Sequence, residues 1–305
     1  MRRRLVLAAP VIPVLSAMRS AHAAGVLKVA YAGSMGVVMD KALGPAFATA
    51  NGVAFQGTGQ GAYGLARLLA AKKLQADVFV SVTPGPMRLL QTAGLVKDAA
   101  PIASTAMVIA YSPKSRFAPA FKAAADGKPP WWQVLRSPGL RFGRTDPATD
   151  PQGRNIIFTM ELAELFYRVP GLARGLLGAV NNQAQIFTEA SLLSRLESGQ
   201  IDASSGYQSA VASRRLPYVT LPPEINLSDP AYAAKWYAQA TLPMAQPDGT
   251  TTNAHPEPLV FYAGVLEDAP SSDLARRFVA FLTSAEGQRT LREAGYGPPK
   301  GGTIG

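Results

Sequence analysis

The chain contains no cysteine and only two histidines, His22 and His255, among its 305 residues. The absence of cysteine excludes disulfides, thiolate metal sites and cysteine nucleophiles. So few histidines leave little room for a zinc site or a histidine-based catalytic triad. Charged residues make up only 16% of the chain and hydrophobic residues 48%, which is too apolar for a disordered protein. The sequence also lacks a collagen period, a heptad pattern and longer repeats, which excludes fibrous and solenoid folds.

The length and charge of the chain narrow its class further. A chain of 305 residues suits about two domains of ~150 residues each. Lys and Arg number 30 against 20 acidic residues, so the net charge of +10 favours anionic partners. The basic residues are scattered and form no stripe interleaved with aromatic residues. Nucleic acid is therefore not an expected partner.

Residues 1–23 have the organisation of a secretory signal peptide. Arginines follow the first methionine, a short apolar run comes next, and Ala21-His22-Ala23 matches an A-x-A cleavage site. The apolar run is shorter than the ~20 residues that a membrane-spanning helix needs. Cleavage after Ala23 would lower the net charge from +10 to +6 and leave His255 as the only histidine. We therefore expect an exported, periplasmic protein, with the choice between the Sec and twin-arginine routes left open.

The rest of the chain alternates strand-like and helix-like segments. Alternating apolar residues predict strands at 27–31, 53–55 and 77–81, with helices between them. Similar strand and helix patterns continue from Met107 onward. Such alternation predicts an α/β fold with parallel sheets covered by helices. Residues 57–62 are expected to form a glycine-rich turn.

Two doubly wound lobes joined by a hinge fit this pattern best. We assign residues 24–106 and 265–305 to lobe 1 and residues 107–264 to lobe 2. Residues 243–258 are predicted to form a polar, proline-rich loop. In open α/β sheets, ligands bind beyond the carboxyl ends of the strands, where a turn opens a helix. The cleft between the lobes is therefore the expected binding site.

Several turns that follow strands are rich in serine, glycine and other small residues. Ser34 follows the first strand, Gly61 and Ala62 follow the second, and Gln152 precedes a helix of lobe 2. The first N–H groups of a helix have no internal partner, and the macrodipole adds about half a positive charge there. Several helix starts aimed at one cleft would hold a small anion without Lys or Arg. Each turn taken alone is equally explained by capping and turn formation.

Three further residues are candidates for the same cleft. Asp150 precedes a proline and a helix, so it is either an N-cap or an oxygen ligand to a metal centre. Glu189 begins a helix, where its N–H is the candidate donor and its side chain complements the macrodipole. Tyr207 ends a strand and either donates its hydroxyl to an anion or is a buried core residue. His255 lies in the proline-rich loop and is expected to be solvated.

Two motifs carry a family resemblance. They are the Asp-Pro-x-Gly stretch at 150–153 and the Leu-x-Ser-Gly-x-Ile-Asp stretch at 196–202, followed by Tyr-x-Ser at 207–209. On these residues the chain resembles the molybdate/tungstate-binding proteins of ABC transporters. That family belongs to the two-lobed, type II periplasmic solute-binding proteins. The resemblance covers nearly the whole mature chain.

The resemblance implies a mechanism and a set of ligand-binding residues. Two lobes would close on a tetrahedral oxyanion, molybdate or tungstate, and deliver it to a permease in the inner membrane. A monomer without a cofactor is expected. The resemblance assigns hydroxyl groups or backbone N–H groups to Ser34, Gly61, Ala62, Gln152, Glu189 and Tyr207.

Two departures from the family pattern bear on how the metal centre is coordinated. Some members add two carboxylates to the metal and make it six-coordinate, and Asp150 matches one of them. The other carboxylate would precede Tyr207, where this chain has Gly206. The usual Gly-Tyr-Arg sequence is Gly153-Arg154-Asn155 here. We therefore hypothesise either tetrahedral binding of the oxyanion or a change of anion.

Three alternatives stay open. The same fold could bind sulfate, phosphate or a small organic anion. An exported hydrolase would have to use a carboxylate pair such as Asp146 and Asp150, although acids in a proline-rich turn are usually turn residues, so we do not expect an enzyme. A sensory role, in which the loaded lobes are presented to a receptor, would need the same ligand site.

Overall fold

The computed structural model describes residues 25–245 and 249–305, which form two α/β lobes. The strands in these ranges are β1 (Val26–Ala32), β2 (Ala54–Gln60), β3 (Val78–Ser81), β4 (Ala99–Ser104), β5 (Met107–Tyr111), β6 (Phe142–Gly143), β7 (Ala203–Tyr207), β8 (Tyr218–Thr220), β9 (Leu242–Ala245), β10 (Thr251–Ala254) and β11 (Val260–Val265). The α-helices are α1 (Gly36–Val38), α2 (Gly44–Asn51), α3 (Ala62–Ala70), α4 (Pro84–Thr92), α5 (Ala118–Ala125), α6 (Trp131–Leu135), α7 (Pro151–Tyr167), α8 (Leu172–Leu177), α9 (Glu189–Ser198), α10 (Gln208–Ser213), α11 (Ser272–Thr283) and α12 (Ala285–Glu293). A 3-10 turn at Gly33–Met35 and a π turn at Met39–Leu43 join α1 and α2 into one helical run.

The predicted signal peptide, including His22, lies outside the described residues. Within the described ranges, no helix combines the length and the apolar character needed to cross a membrane.

The first lobe is built on a five-stranded sheet in the order β2-β1-β3-β11-β4. Strand β1 is parallel to β2 and β3, as the strand–helix–strand pattern predicts. Strand β11 is antiparallel to both β3 and β4. The sheet is therefore mixed rather than purely parallel, because the chain enters it again after building the second lobe.

The second lobe has a four-stranded sheet in the order β6-β7-β5-β8. Strand β5 is antiparallel to β7 and β8, and β6 is parallel to β7. The long helix α7 packs over this sheet through its buried residues Ile156, Met160 and Leu162. It begins at Asp150, next to the cleft, so the sheet and its packing fix the direction in which this helix start faces.

The boundary at residue 264 needs a correction. The sequence-based division assigned 260–264 to lobe 2, but β11 occupies these positions and pairs within the first sheet. Tyr262 pairs with Ser81 of β3, and Phe261 pairs with Ala103 of β4. The chain has therefore returned to the first lobe by Val260.

The glycine-rich segment 57–60 is strand rather than turn. Gly57 pairs with Val29 and Gly59 with Tyr31 as part of β2. A Cβ on Gly57 would lie 2.7 Å from the Tyr31 hydroxyl oxygen, and one on Gly59 would lie 2.6 Å from the ring atom Cε2. Glycine is needed at both positions because the side chain of Tyr31, on the neighbouring strand β1, fills the space that a Cβ would take. This contact between strands is not visible in the local sequence, which resembles a turn.

The loop predicted at 243–258 also differs from the structure. Strands β9 and β10 form an antiparallel hairpin in which Thr251 pairs with Ala245 and Asn253 with Pro243. Proline is tolerated in this two-stranded hairpin because each strand has one free edge, where a missing N–H breaks no ladder. His255 follows the hairpin and is exposed, as expected.

An aromatic cluster anchors the C-terminal helix α11 on the first lobe. The Phe278 ring is fully buried and lies 5.1 Å from that of Phe47 in an edge-to-face arrangement. The ring of Phe55 lies 6.0 Å from Phe278. Ala275 and Leu282 are buried on the same helix face, at the spacing that an amphipathic helix requires.

We predict that Phe278→Ala destabilises the protein by about 3–5 kcal/mol, because it leaves a cavity beside the rings of Phe47 and Phe55. Denaturant unfolding monitored by circular dichroism measures this difference. Arg277→Ala, at the exposed neighbouring position, should change the free energy of unfolding by no more than about 0.5 kcal/mol. A loss below about 1 kcal/mol in Phe278→Ala would show that α11 is not anchored by this cluster.

Candidate functional site

A cavity of about 1020 Å³ opens between the lobes. Its walls come from the ends of β1 and β2 in the first lobe, and from the 145–150 and 186–190 segments of the second. The lining residues include first or capping residues of helical segments from both lobes, among them Gly33, Gly61, Asp150 and Glu189. The cavity therefore collects the positive ends of helices from both lobes.

Ser34 lies where β1 passes into the helical run Gly33–Asn51. The residue is 4% exposed, and its hydroxyl Oγ has no hydrogen-bond partner. Its carbonyl accepts a hydrogen bond of 3.0 Å from the hydroxyl of Tyr296. The backbone of this turn is thus held in place while the hydroxyl stays available to a ligand in the cavity.

Gly61 caps α3 at a point where the two lobes come close together. A Cβ on Gly61 would lie 2.8 Å from the Thr149 carbonyl oxygen and 3.3 Å from Cβ of Asp150. The N–H of Gly64 donates to the same Thr149 carbonyl at 3.2 Å. Ala62 is buried next to Gly61 but does not line the cavity. Glycine is required at position 61 because any side chain would push the lobes apart.

Asp150 is both the N-cap of α7 and a wall of the cavity. Its Oδ1 accepts a hydrogen bond of 2.9 Å from the N–H of Gln152, so this N–H is already engaged in capping. Gln152 is 2% exposed, does not line the cavity and accepts a hydrogen bond of 3.0 Å from the hydroxyl of Ser205 at its Oε1. Burial raises the pKa of Asp150 to about 6, although the Gln152 N–H favours the ionised form.

Tyr207 is 1% exposed and lies behind the residues that line the cavity. Its hydroxyl accepts a hydrogen bond of 3.0 Å from the side-chain amide of Asn155. Burial raises the pKa of Tyr207 well above its ordinary value, and the nearby Asp150 raises it further. The hydroxyl therefore keeps its proton, and that proton is not used in the bond to Asn155.

Glu189 differs most from what the sequence indicated. As expected, it is the first residue of α9, whose N-cap Thr188 accepts from the N–H of Ser191. Its side chain, however, reaches the backbone of Gly33 in the other lobe, where any Cβ would collide with Oε2. Burial and the charge of Asp150 raise the pKa of Glu189 well above its ordinary range, while the Ser34 N–H lowers it.

The cavity also contains charged residues that the sequence analysis did not assign to ligand binding. Asp40 and Asp146 add two carboxylates, and Lys41 and Arg214 add two cations. The guanidinium of Arg214 also forms an ion pair with Glu197, at a distance of 3.1 Å between Nη1 and Oε1. The described walls are therefore not made of neutral donors alone. No local motif marks these residues, because they come together only when the lobes are packed.

Thr145 is a further residue that sequence reasoning missed. It lines the cavity, is 1% exposed, and its Oγ1 has no hydrogen bond of normal geometry. The hydroxyl nevertheless lies close enough to Asp150 to lower the pKa of that carboxyl. The one available signal was its place in the Thr-Asp-Pro turn at 145–147, directly after β6. Like Ser34, it is a buried hydroxyl available to a ligand.

Contacts across the cleft surround this cavity. The guanidinium of Arg154 lies 3.7 Å from the ring centroid of Tyr63, a cation–π contact between α7 and α3. Arg67 donates to the carbonyl of Ala148 at 3.1 Å. Within lobe 2, Arg154 also donates to the carbonyl of Pro147 at 2.7 Å. The first two of these contacts join the two lobes, and Arg154, at a position that departs from the pattern described above, takes part in one of them.

The described residues contain no group of three or more His, Cys, Asp or Glu side chains placed to hold a metal ion.

Residues 27–297 match the family model of the bacterial extracellular solute-binding protein. The chain belongs to this family. The members are defined by binding a solute outside the cytoplasm, which agrees with a closed two-lobed structure around one large cavity.

Two proteins that are similar in sequence to this solute-binding protein are named for molybdenum or tungsten. The molybdate/tungstate-binding protein WtpA of Thermococcus kodakarensis is 31% identical over 210 residues, covering 63% of this chain and 57% of the relative. A Haloferax volcanii protein named as an ABC transporter molybdenum-binding protein is 31% identical over 218 residues, covering 72% and 67%. The chain thus spans a little over half the length of the Thermococcus relative.

Two solved structures show the same fold. The periplasmic molybdate-binding protein of Azotobacter vinelandii has a TM-score of 0.60 at 17% identity, covering 90% of this chain and all of that one. The sulfate-binding protein SubI of Mycobacterium tuberculosis has a TM-score of 0.60 at 16% identity, covering 90% and 87%. These likenesses support the predicted α/β architecture of two lobes, the type II solute-binding fold.

The burial of Asp150 predicts a pH-dependent stability of the ligand-free protein. Its pKa rises from 3.8 to about 6 on folding, so its contribution is fully present below about pH 4 and is lost as the pH rises through about 6. Asp150→Asn keeps the cap and removes the charge. Between pH 4 and pH 8 the variant should gain about 3 kcal/mol of unfolding free energy relative to the original protein.

Denaturant unfolding at several pH values measures this gain. Asp268→Asn, an equal charge change at an exposed position, serves as the control and should show no such trend. A constant difference between Asp150→Asn and the original protein across the pH range would contradict the buried position of the carboxyl.

Proposed function

We propose that this protein captures a tetrahedral oxyanion, molybdate or tungstate, in the cavity between its lobes and delivers it to an ABC permease. The observation that carries the proposal is the convergence of helix starts from both lobes on one cavity, at Gly33, Gly61, Asp150 and Glu189. Such starts favour a small anion by their free N–H groups and their dipoles. The names of the two relatives, which are 31% identical, support molybdate or tungstate as the anion.

The hydroxyl groups of the site supply directed donors. Ser34 and Thr145 both have buried hydroxyl oxygens without a partner, and a ligand oxygen would satisfy them. Tyr207 keeps its own proton while accepting from Asn155, so a small movement of the ligand or the lobe would let it donate. Each donor would replace a hydrogen bond that the anion loses when it leaves water.

We propose that the anion stays tetrahedral. A second carboxylate next to Tyr207 would have to replace Gly206, and a Cβ there would lie 2.6 Å from Cγ2 of Val211. The packing of β7 against α10 therefore leaves no room for a side chain at this position. Asp150 remains the single family-type carboxylate in the cavity, and its Oδ1 is engaged by the Gln152 N–H.

X-ray absorption spectroscopy of the molybdate-loaded protein tests this geometry. We expect the short metal–oxygen distances of a four-coordinate centre and no additional oxygen ligand from the protein. A six-coordinate spectrum that becomes four-coordinate in Asp150→Asn would overturn the tetrahedral assignment.

The setting of this function follows from the family and from the predicted signal peptide. We propose a periplasmic monomer that works by binding and release, without catalysis and without a cofactor. A membrane permease would then recognise the closed, loaded lobes. The closed arrangement around Arg154 and Tyr63 is compatible with such a state.

A small organic anion is the second candidate. The cavity of about 1020 Å³ reaches the size range of pockets that hold organic ligands, and it extends from Ser34 to Tyr31 and Lys41. One tetrahedral oxyanion would fill only part of that space. Sugar phosphates and short phosphorylated acids therefore belong in the same panel of ligands as the inorganic anions.

We predict that Ser34→Ala and Tyr207→Phe each weaken molybdate binding about tenfold or more, since a hydrogen bond to a charged group contributes about 1.5–3 kcal/mol. Titration calorimetry on the mature, ligand-free protein measures this, with molybdate, tungstate, sulfate, phosphate and a sugar phosphate. Ser194→Ala, on the exposed face of α9, is the matched control and should bind like the original protein.

Equal affinities in Ser34→Ala, Tyr207→Phe and the original protein would remove both hydroxyl groups from the site. Tighter binding of a sugar phosphate than of molybdate would favour the second candidate. Absence of heat with every anion would overturn the proposal as a whole.

A further inference from the structure

The side chain of Glu189 crosses the cleft and reaches the backbone of Gly33 in the first lobe. Its Cδ lies 3.3 Å from the position of a Cβ on Gly33, and Oε2 lies closer still. The N–H of Ser34 stabilises the ionised carboxylate there. A residue of lobe 2 therefore places a carboxyl group on the first turn of lobe 1.

The turn at Gly33 that Glu189 occupies is also a position where a bound anion would find donors. The helical run Gly33–Asn51 begins here with N–H groups that have no intrahelical partner. The adjacent Ser34 hydroxyl is buried and unpartnered, and Gly33 itself lines the cavity. An oxyanion oxygen at this turn would occupy the volume that Oε2 of Glu189 now fills.

The carboxylate is held weakly enough to be displaced. Its second oxygen, Oε1, is buried without a hydrogen-bond partner. Asp150 of the α7 cap repels it, and Arg214 attracts it from the end of α10 while also binding Glu197. Asp40, Asp146 and Lys41 complete the charged groups that line the cavity.

We propose that the carboxylate of Glu189 is an internal competitor for the oxyanion, an inference that rests on the proposed function. In the ligand-free protein it occupies the turn at Gly33 and links the lobes. An incoming anion must displace this carboxyl group, which ionises once it leaves the buried turn and then stays nearby as a like charge. Glu189 thereby lowers the affinity for every oxyanion and makes release easier than the neutral donors alone would allow.

Titration calorimetry with molybdate and with sulfate tests the competitor. Glu189→Ala empties the turn, and Glu189→Gln keeps the shape but cannot ionise. Both variants should bind the two anions about tenfold more tightly or better, because the carboxyl group that occupies the turn and the negative charge that it gains when displaced are both gone. Glu286→Gln is the matched control, because it neutralises an exposed glutamate in the first turn of α12 and should leave binding unchanged.

The outcomes separate this inference from the proposed function. Binding by the original protein that both variants weaken or leave unchanged overturns the competitor alone. No heat from the original protein or from any variant overturns the proposed function and the competitor with it. Tight binding seen only in the variants supports both.

A crystal structure of the molybdate-loaded original protein provides the second readout, which does not depend on the variants folding normally. We expect an anion oxygen at the Ser34 N–H and the Glu189 carboxylate moved away from Gly33. A carboxylate that remains on Gly33 beside the bound anion would overturn the inference.

Discussion

The close approach of the two lobes at Gly61 is the constraint on which the cleft depends. The absence of a side chain there lets the Thr149 carbonyl and the Asp150 cap meet the start of α3, with the Gly64 N–H donating across the gap. This contact removes water from the helix starts on both sides. Without it the hydroxyls of Ser34 and Thr145 would be solvated, and the helix dipoles would be screened before they reached a ligand.

Exclusion of water also explains the electrostatics of the cleft. Asp150 has a pKa of about 6, and Glu189 is raised well above its ordinary range, both chiefly because burial disfavours the ionised form. A cleft built only of neutral donors would attract any dianion strongly. In the proposed binding mode, the acids that line this cavity oppose that attraction, so the affinity would be a balance between helix starts and buried acids rather than a sum of donors.

Sequence patterns located the helix starts but not the distances between them. Ser34, Gly61 and Asp150 could be predicted because each follows a strand or precedes a helix, which is a local property. The path of the Glu189 side chain to Gly33, and the cluster of Asp40, Lys41 and Arg214, depend on packing between distant segments. The same limit applies to the fold, where local pattern found most strands but could not reveal that β11 returns to the first sheet.

The first turn of α7 shows how a departure from a family pattern is absorbed by its neighbours. Gly153 packs so tightly against the Thr145–Pro147 turn that only glycine fits. Arg154 then stacks on Tyr63 of the other lobe, and Asn155 donates to the hydroxyl of Tyr207. One residue of this turn thus contributes to the contact between the lobes, and the next orients the hydroxyl of Tyr207, the proposed ligand donor. Closure and donor geometry are therefore coupled, because both are fixed by the same helical turn.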